Sequence, residues 1–234
     1  MKRSKRYKAA SLLVDRMKHY DLSEGIDIIQ KMPKAKFNET IEIHFNLSVD
    51  PRKAEQQIRN SVVLPNGTGK TVRVLVFAEG DKADEAKKAG ADFVGLDEFI
   101  EKISGGWFEF DVVIATPNLM GKIGKLGRVL GPRNLMPNPK VGTVTMDVGK
   151  AVEESKSGKV AYRVDKFGNL HIPAGKHNFE SLKLKENILV IVGAVLKDRP
   201  ATIKGNYIRS VTITSTMNPS VKLSVNSVTA ESKK

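Results

Sequence analysis

The sequence predicts an α/β protein of two domains: a discontinuous α+β domain built from residues 1–66 and 159–234, and an inserted, Rossmann-like three-layer α/β domain at residues 67–158. Three observations predict it. Towards both ends of the chain, apolar residues alternate with polar ones, the period of a strand with one buried and one wet face. In the middle, near-continuous apolar runs are separated by helical patterns, the texture of parallel βαβ units. The first 66 residues hold one clear strand, too little to bury a core alone, so their natural partner is the segment of like style at the other end.

In chain order, the sequence opens on a basic arm, with Lys2, Arg3, Lys5, Arg6 and Lys8, expected to stay disordered until a partner binds. Leu12, Leu13 and Met17, then Ile26, Ile29 and Met32, repeat at helical spacing on either side of HYDLSEG. They predict two short, core-facing helices that end by Pro33. Ile41, Ile43, Phe45 and Leu47 alternate with Glu42, His44 and Asn46 in a strand whose wet face carries His44. PRKAEQQIRN is a polar connection, and SVVLP leads to the turn signal Asn66-Gly67.

Val72 to Ala78, Phe93-Val94 and Val112 to Ala115 are the apolar runs of the insert, separated by DKADEAKKAG and LDEFIEKIS. A helix around Val148, Ala151 and Val152 closes it. The two crossings between domains carry Gly67, Gly69, Ser157 and Gly158, which together would make a hinge. Beyond them, Val160, Tyr162 and Val164 alternate, DKFGN turns, and Leu170 and Ile172 return, predicting a hairpin. Ser181 is placed as the cap of a long helix whose face includes Leu182, Ile188, Val192 and Val195. Val211 and Ile213, then Val221, Leu223 and Val225, predict two strands joined by TSTMNPS.

Charge narrows the partner. Thirty-nine Lys and Arg against 26 Asp and Glu give a net +13, which favours a polyanion. Two stretches lack acids altogether. Val112 to Met146 carries Lys122, Lys125, Arg128, Arg133 and Lys140 among Gly and Pro that argue against a long helix or strand. Arg199 to Ala230 carries Arg199, Lys204, Arg209 and Lys222 beside a hydroxyl-rich strand and turn, Ser210, Thr212, Thr214, Ser215 and Thr216. Hydroxyls exchange hydrogen bonds with phosphates and with the 2′-OH that marks RNA, and Met217 at the turn tip would pack on a sugar or base. One Trp and four Tyr are too few for a platform that stacks single strands, which leaves folded RNA read by shape and backbone.

Other classes fit less well. The longest apolar-plus-Gly run, Ile188 to Leu196, is nine residues against the roughly 20 that span a bilayer. No Lys-rich amphipathic helix with aromatic anchors suggests a membrane surface. The absence of Cys removes disulfides and thiolate metal sites and agrees with a cytoplasmic protein. Gly69-Lys70-Thr71 lacks the glycine a phosphate loop needs at position 64, which is Leu64, and it precedes a strand instead of following one. Glycines 121, 124, 127 and 131 do not form G-x-G-x-x-G, and no G-x-S-x-G elbow occurs. His19, His44, His171 and His177 are scattered, the last two flanking Pro173 and Gly175 in what reads as one loop, so no metal site or cofactor is expected. The reading of a different class is a nucleotide-using enzyme on the α/β domain; saturable ATP or GTP affinity would favour it.

LGRVLGPRNLMPNPKVGTVT, together with AKFNETIE, DPRKAEQQIRNSVVLPNGTGK, DKFGNLHIPAGK and RSVTITSTMNPS, resembles the first protein of the large ribosomal subunit, the ribosomal protein L-one family in its bacterial type. The resemblance covers nearly the whole chain. It implies the nested domains, and an RNA surface of Lys36, Phe37, Thr40, Lys166, Gly168, His171, Ser210, Thr216 and Met217. The partners it implies are folded large-subunit rRNA, exit-site tRNA whose release a mobile stalk assists, and the protein's own mRNA for translational repression. It implies a protein that is monomeric when free and works on the cytoplasmic ribosome, with no membrane and no catalysis. Lys122, Lys125, Arg128, Arg133 and Lys140 are expected to make secondary contacts to rRNA or tRNA. Asn134 and Asn218 stand where the family usually has Gly; Asn tolerates positive φ best after Gly, so the backbone is expected to keep its course there.

Overall fold

The computed structural model describes residues 3–233. Helices α1 (Lys5–Leu12) and α2 (Leu22–Lys31) precede strands β1 (Thr40–Leu47) and β2 (Arg59–Val63). Then come β3 (Val74–Phe77), α3 (Asp81–Lys88), β4 (Phe93–Gly95), α4 (Asp97–Ser104), β5 (Val112–Ala115), the short helices α5 (Met120–Ile123) and α6 (Gly127–Leu130), and α7 (Val148–Lys156). The chain closes with β6 (Lys159–Arg163), β7 (Asn169–Lys176), α8 (Ser181–Lys197), β8 (Ile208–Ser215), β9 (Val221–Leu223) and α9 (Val225–Glu231). It divides into two compact units, Met1–Gly69 with Val160–Lys234, and Lys70–Lys159.

The discontinuous unit is organised by a four-stranded antiparallel sheet in the order β7-β1-β8-β9, with β1 paired on both sides. Period-two alternation turns Ile41, Ile43, Phe45 and Leu47 to one face, where all four are buried. Leu22, Ile26 and Ile29 of α2 and Leu184, Ile188, Ile191, Val192 and Val195 of α8 complete that core, each fully buried aliphatic contributing about 1.5–3 kcal/mol. Asn187 is buried in α8 yet fully occupied. Its Nδ2 donates to the carbonyls of Gly67 (3.0 Å) and Ala174 (2.8 Å), and its Oδ1 accepts from the Asn66 N–H at 3.1 Å.

Several elements differ from the sequence reading. Residues from Lys5 onward are helical rather than a disordered arm, with Ser4 capping α1 by accepting from the Tyr7 N–H; Lys2 lies outside the described residues. Leu12 and Met17 are 88% and 85% exposed and Leu13 is also exposed: Leu12 lies on the solvent side of the last turn of α1, and Leu13 and Met17 lie beyond its end, where the helical spacing has no helix to act on. Residues 160–164 and 170–172 do not pair with each other: β6 joins β2 in a separate two-stranded sheet, while β7 joins β1. His171 and His177 therefore do not share a loop, His171 lying within β7 and His177 just past its end. Ser181 is the first residue of α8 and caps nothing, its hydroxyl donating instead to Gln30 Oε1 at 2.8 Å. Leu182 beside it is exposed. Val225 starts α9, capped by Ser224, and belongs to no strand.

The second unit is a three-stranded parallel sheet in the order β4-β3-β5. Successive residues of β3 serve opposite cores, which makes three layers. Val74 and Val76 pack with Ala86 of α3 and Val148 and Val152 of α7. Leu75 and Phe77 pack with Phe99 and Ile103 of α4 and with Leu119, Ile123, Leu126 and Leu130. Those last four lie where Gly and Pro argued against a long helix, and the helices there are indeed short. Pro117–Leu119 and Gly124–Leu126 are 3₁₀ turns that alternate with α5 and α6, so residues 117–130 form a nearly continuous helical run with one buried stripe.

Candidate nucleic-acid interface

The sheet face turned away from the core is polar, and its register decides which side chains meet. His171, His44, Thr212 and Lys222 form one row across β7-β1-β8-β9, and Asn169, Asn46 and Ser210 form the next. Asn46 Nδ2 donates to Asn169 Oδ1 at 2.7 Å. His44 Nδ1 lies 2.9 Å from His171 Nδ1. Burial and the neighbouring His171 push the His44 imidazole below its ordinary value, and Glu42 offsets only part of this.

At the start of β1 two chain segments meet. The Thr40 N–H donates to Thr216 Oγ1 at 3.0 Å, the Thr216 N–H donates to the Thr40 carbonyl at 3.1 Å, and Lys176 Nζ donates to Thr40 Oγ1 at 2.9 Å. The segment before β1 carries exposed Lys36 and Phe37, and the turn after β8 carries exposed Met217. Glu39, which is 1% exposed, sits beneath both. Its carboxylate accepts from the Ala35 N–H (2.8 Å) on one side and the Met217 N–H (3.1 Å) on the other. Burial raises the Glu39 pKa, but hydrogen bonds from Met217, Ala35 and Ser215 and the charge of Arg6 outweigh it, so the group lies below the ordinary carboxylate value.

Asn218 is built into the same knot. Its backbone is not in the left-handed region; its buried side chain donates to Ser215 Oγ at 2.8 Å and accepts from Arg6 Nη1 at 2.9 Å. A glycine could do neither. Asn134 is the case where left-handed backbone matters, with φ +58° in an exposed turn.

The remaining predicted residues lie elsewhere. His171 and Ser210 are exposed in mid-sheet, while Lys166 and Gly168 sit at the opposite end of β1, roughly 25 Å from Thr40 at strand rise. Gly168 is buried and serves the turn. With φ +83° it accepts at its carbonyl oxygen from the Leu47 N–H, and a Cβ there would stand 3.2 Å from the carbonyl oxygens of Leu47 and Val49. Asp165 closes that turn by accepting from the N–H groups of Phe167 and Asn169, both at 2.8 Å. Sequence reasoning missed Phe167, which is 72% exposed with Lys166 Nζ over its ring; Arg209, named there among the basic residues, donates from Nε to Ser48 Oγ. Sequence reasoning also missed Glu39, because a lone acid before a strand gives no signal of two N–H groups converging on it.

In the second unit, Lys122, Lys125 and Arg128 line the outer side of the helical run beside Gly121, Gly124 and Gly127. Nothing lies within 4 Å of where a Cβ would stand on those glycines, so the backbone there is open to close approach. Lys122 pairs with Glu79 at 3.4 Å, Arg133 stacks 3.8 Å above the Phe108 ring, and Lys140 is exposed on a 3₁₀ turn. Lys70 Nζ pairs with Asp111 at 2.6 Å in the approach to β3. Among the described residues, no group of three or more His, Asp or Glu is arranged to hold a metal ion, and no helix is long and apolar enough to cross a membrane.

Residues 29–219 match the ribosomal protein L1p/L10e family. The chain belongs to this family. It is therefore a ribosomal protein that binds large-subunit rRNA, in a family of structural ribosomal proteins rather than enzymes. The match runs from within α2 to the residue after Asn218, so every predicted contact residue lies inside it and α1 lies outside.

Proposed function

We propose that the discontinuous unit grips a folded segment of large-subunit rRNA through Lys36, Phe37, Thr40, Thr216 and Met217, with His171, Ser210 and Lys166 extending the contact along the sheet. The observation that carries this is the Glu39 carboxylate, which ties the Ala35 and Met217 N–H groups together and leaves Phe37 and Met217 turned outward. Two apolar side chains held in water by a buried charge gain nothing for the fold; they suit a ribose or base face. Thr40, Thr216 and Ser210 add hydroxyls for phosphate and 2′-OH.

The protein then serves as the mobile stalk beside the exit site, assisting release of deacylated tRNA, and represses its own mRNA where that RNA copies the rRNA fold. Lys122, Lys125, Arg128, Arg133 and Lys140 make the secondary contacts to rRNA or tRNA, and bending occurs around Gly67, Gly69, Ser157 and Gly158. Gly67, Gly69 and Gly158 have φ of 64°, 69° and 103°, conformations that let the chain turn sharply there.

Binding to a transcript of the large-subunit rRNA is the test. With about five phosphates neutralised, log K should fall against log salt with a slope of roughly −3 to −5, and a gap over random RNA should persist at physiological salt. Equal affinity for any duplex or for DNA would overturn the proposal. Crosslinking in cells, with sequencing of the bound RNA, identifies the rRNA, tRNA and mRNA partners separately.

A further inference from the structure

We infer that Arg6, upstream of the family match, is a positioning residue for RNA recognition: it sets the spacing between the Lys36–Phe37 segment and the Thr216–Met217 turn. The inference rests on the proposed RNA surface and adds to it a residue on a different element.

One guanidinium reaches both segments. Nη1 donates to the Pro33 carbonyl (3.0 Å) and to Asn218 Oδ1 (2.9 Å), and Nη2 donates to the Met217 carbonyl (3.0 Å). Nη1 also lies 3.5 Å from Glu39 Oε1. Pro33 opens the segment that leads to Lys36 and Phe37, so the two acceptor sets belong to the two arms of the proposed site. Both tip side chains are exposed, Phe37 at 54% and Met217 at 51%, and hydrophobic packing does not hold them. Polar ties fix their separation: the Thr40–Thr216 pair at the strand end, Glu39 from beneath and Arg6 from the side. Helix α1 is itself seated by buried Ala10 and capped by Ser4, so Arg6 has a fixed base.

The geometry also fixes the kind of role. A guanidinium offers five donors in a planar fork, and this one is turned towards four acceptors within the protein. Its contribution to RNA is geometric, and phosphate neutralisation falls to the exposed lysines. A lysine at position 6 would keep the charge but offer one point where the site needs a fork.

The test uses the full chain with Arg6→Lys, Arg6→Met and, in parallel, Met217→Ala, each titrated with a large-subunit rRNA transcript and with a random-sequence RNA hairpin over a salt series. Both Arg6 variants should bind the transcript about tenfold more weakly, the scale of a lost charge-assisted hydrogen bond. Arg6→Lys should keep the wild-type salt slope and its affinity for the random hairpin. Without RNA, amide exchange at Ala35 and Met217 should quicken in Arg6→Lys, a readout independent of binding. Wild-type affinity in Arg6→Lys overturns the inference, as does an equal loss on both RNAs with a slope shallower by about one phosphate, which would mean direct contact. Should Arg6→Met unfold, the charge-keeping variant decides. If Met217→Ala binds like the wild type, the proposed surface itself is wrong; if Met217→Ala weakens and Arg6→Lys does not, only the role of Arg6 falls.

Discussion

His44 and His171 bring their Nδ1 atoms to 2.9 Å across the β1–β7 ladder, so one ring must donate and the other accept. Glu42 stands 3.9 Å from the far nitrogen of His44, and Asp165 stands 3.7 Å from that of His171. Protonating both rings would set two donors against each other. Burial and, after it, this repulsion hold His44 below its ordinary 6.5, and His171→Ala should raise it by removing the repulsion. A depressed histidine makes stability fall as pH drops from 6.5 towards the folded value and level off below it. Imidazole NMR titration beside unfolding at several pH values checks both parts; an unshifted His44 would remove the argument.

Thr216 and Met217 are neighbours with different duties. The Thr216 hydroxyl accepts from the Thr40 N–H, whereas the Met217 side chain is exposed. Thr216→Val should cost about 1 kcal/mol of stability as well as RNA affinity. Met217→Ala should leave stability nearly unchanged and weaken specific rRNA binding by about 1–3 kcal/mol, with the salt slope preserved. Thermal unfolding and RNA titration of the two variants separate these effects.

Glu39→Gln probes the buried carboxylate. An amide can accept at one oxygen only and would set its NH₂ against either the Ala35 or the Met217 N–H, at a cost of about 1–3 kcal/mol. Because the folded pKa lies below the ordinary 4.5, the stabilisation is full above that pH and is lost as pH falls through the folded value. The acid limb of the stability curve should accordingly be flatter in the variant than in the wild type.

Replacing residues 70–159 by a short Gly/Ser link should leave a folded unit with most of the rRNA affinity. Strands β2 and β6, at the departing and returning chain, pair with each other, so a short link can join them. Thermal unfolding and rRNA titration decide. An unfolded product would refute the division, and a folded one that binds more than about a hundredfold more weakly, near 2.7 kcal/mol, would make the basic helical run the primary site.

What the sequence showed and hid follows from the range of the forces. The alternation of Ile41, Ile43, Phe45 and Leu47 and the runs at β3 and β5 were legible because burial imposes a local period. The partner of Lys159–Arg163 was not, since DKFGN shows that the chain reverses but cannot show that the two arms then join different sheets. Helix α1 was hidden for another reason: it is held by Arg6 reaching Pro33, Met217 and Asn218, contacts made far along the chain. Gly and Pro around residues 117–130 masked a helical stripe because 3₁₀ turns accept what a regular α-helix resists. In the site, the hydroxyls and the Met217 tip could be read from residue type and Phe37 only from the family resemblance, while Glu39 and Asn218 act through partners that only the register and the turn bring near.

The central place of β1 bears on how the protein is made. Ile43 lies opposite Ile172 on one side and Ile213 on the other, so the strand leaves the ribosome with both its neighbours still unsynthesised. The parallel sheet of the second unit, by contrast, draws all its strands from residues 74–115. Synthesis runs from the N-terminus and contacts distant in sequence close last. The inserted unit should thus complete its core first, while β1 waits with one edge unpaired until β8 emerges. A nascent chain halted before residue 208 would hold a finished insert beside an unfinished RNA surface, and recognition of RNA would begin only in the closing stage of translation.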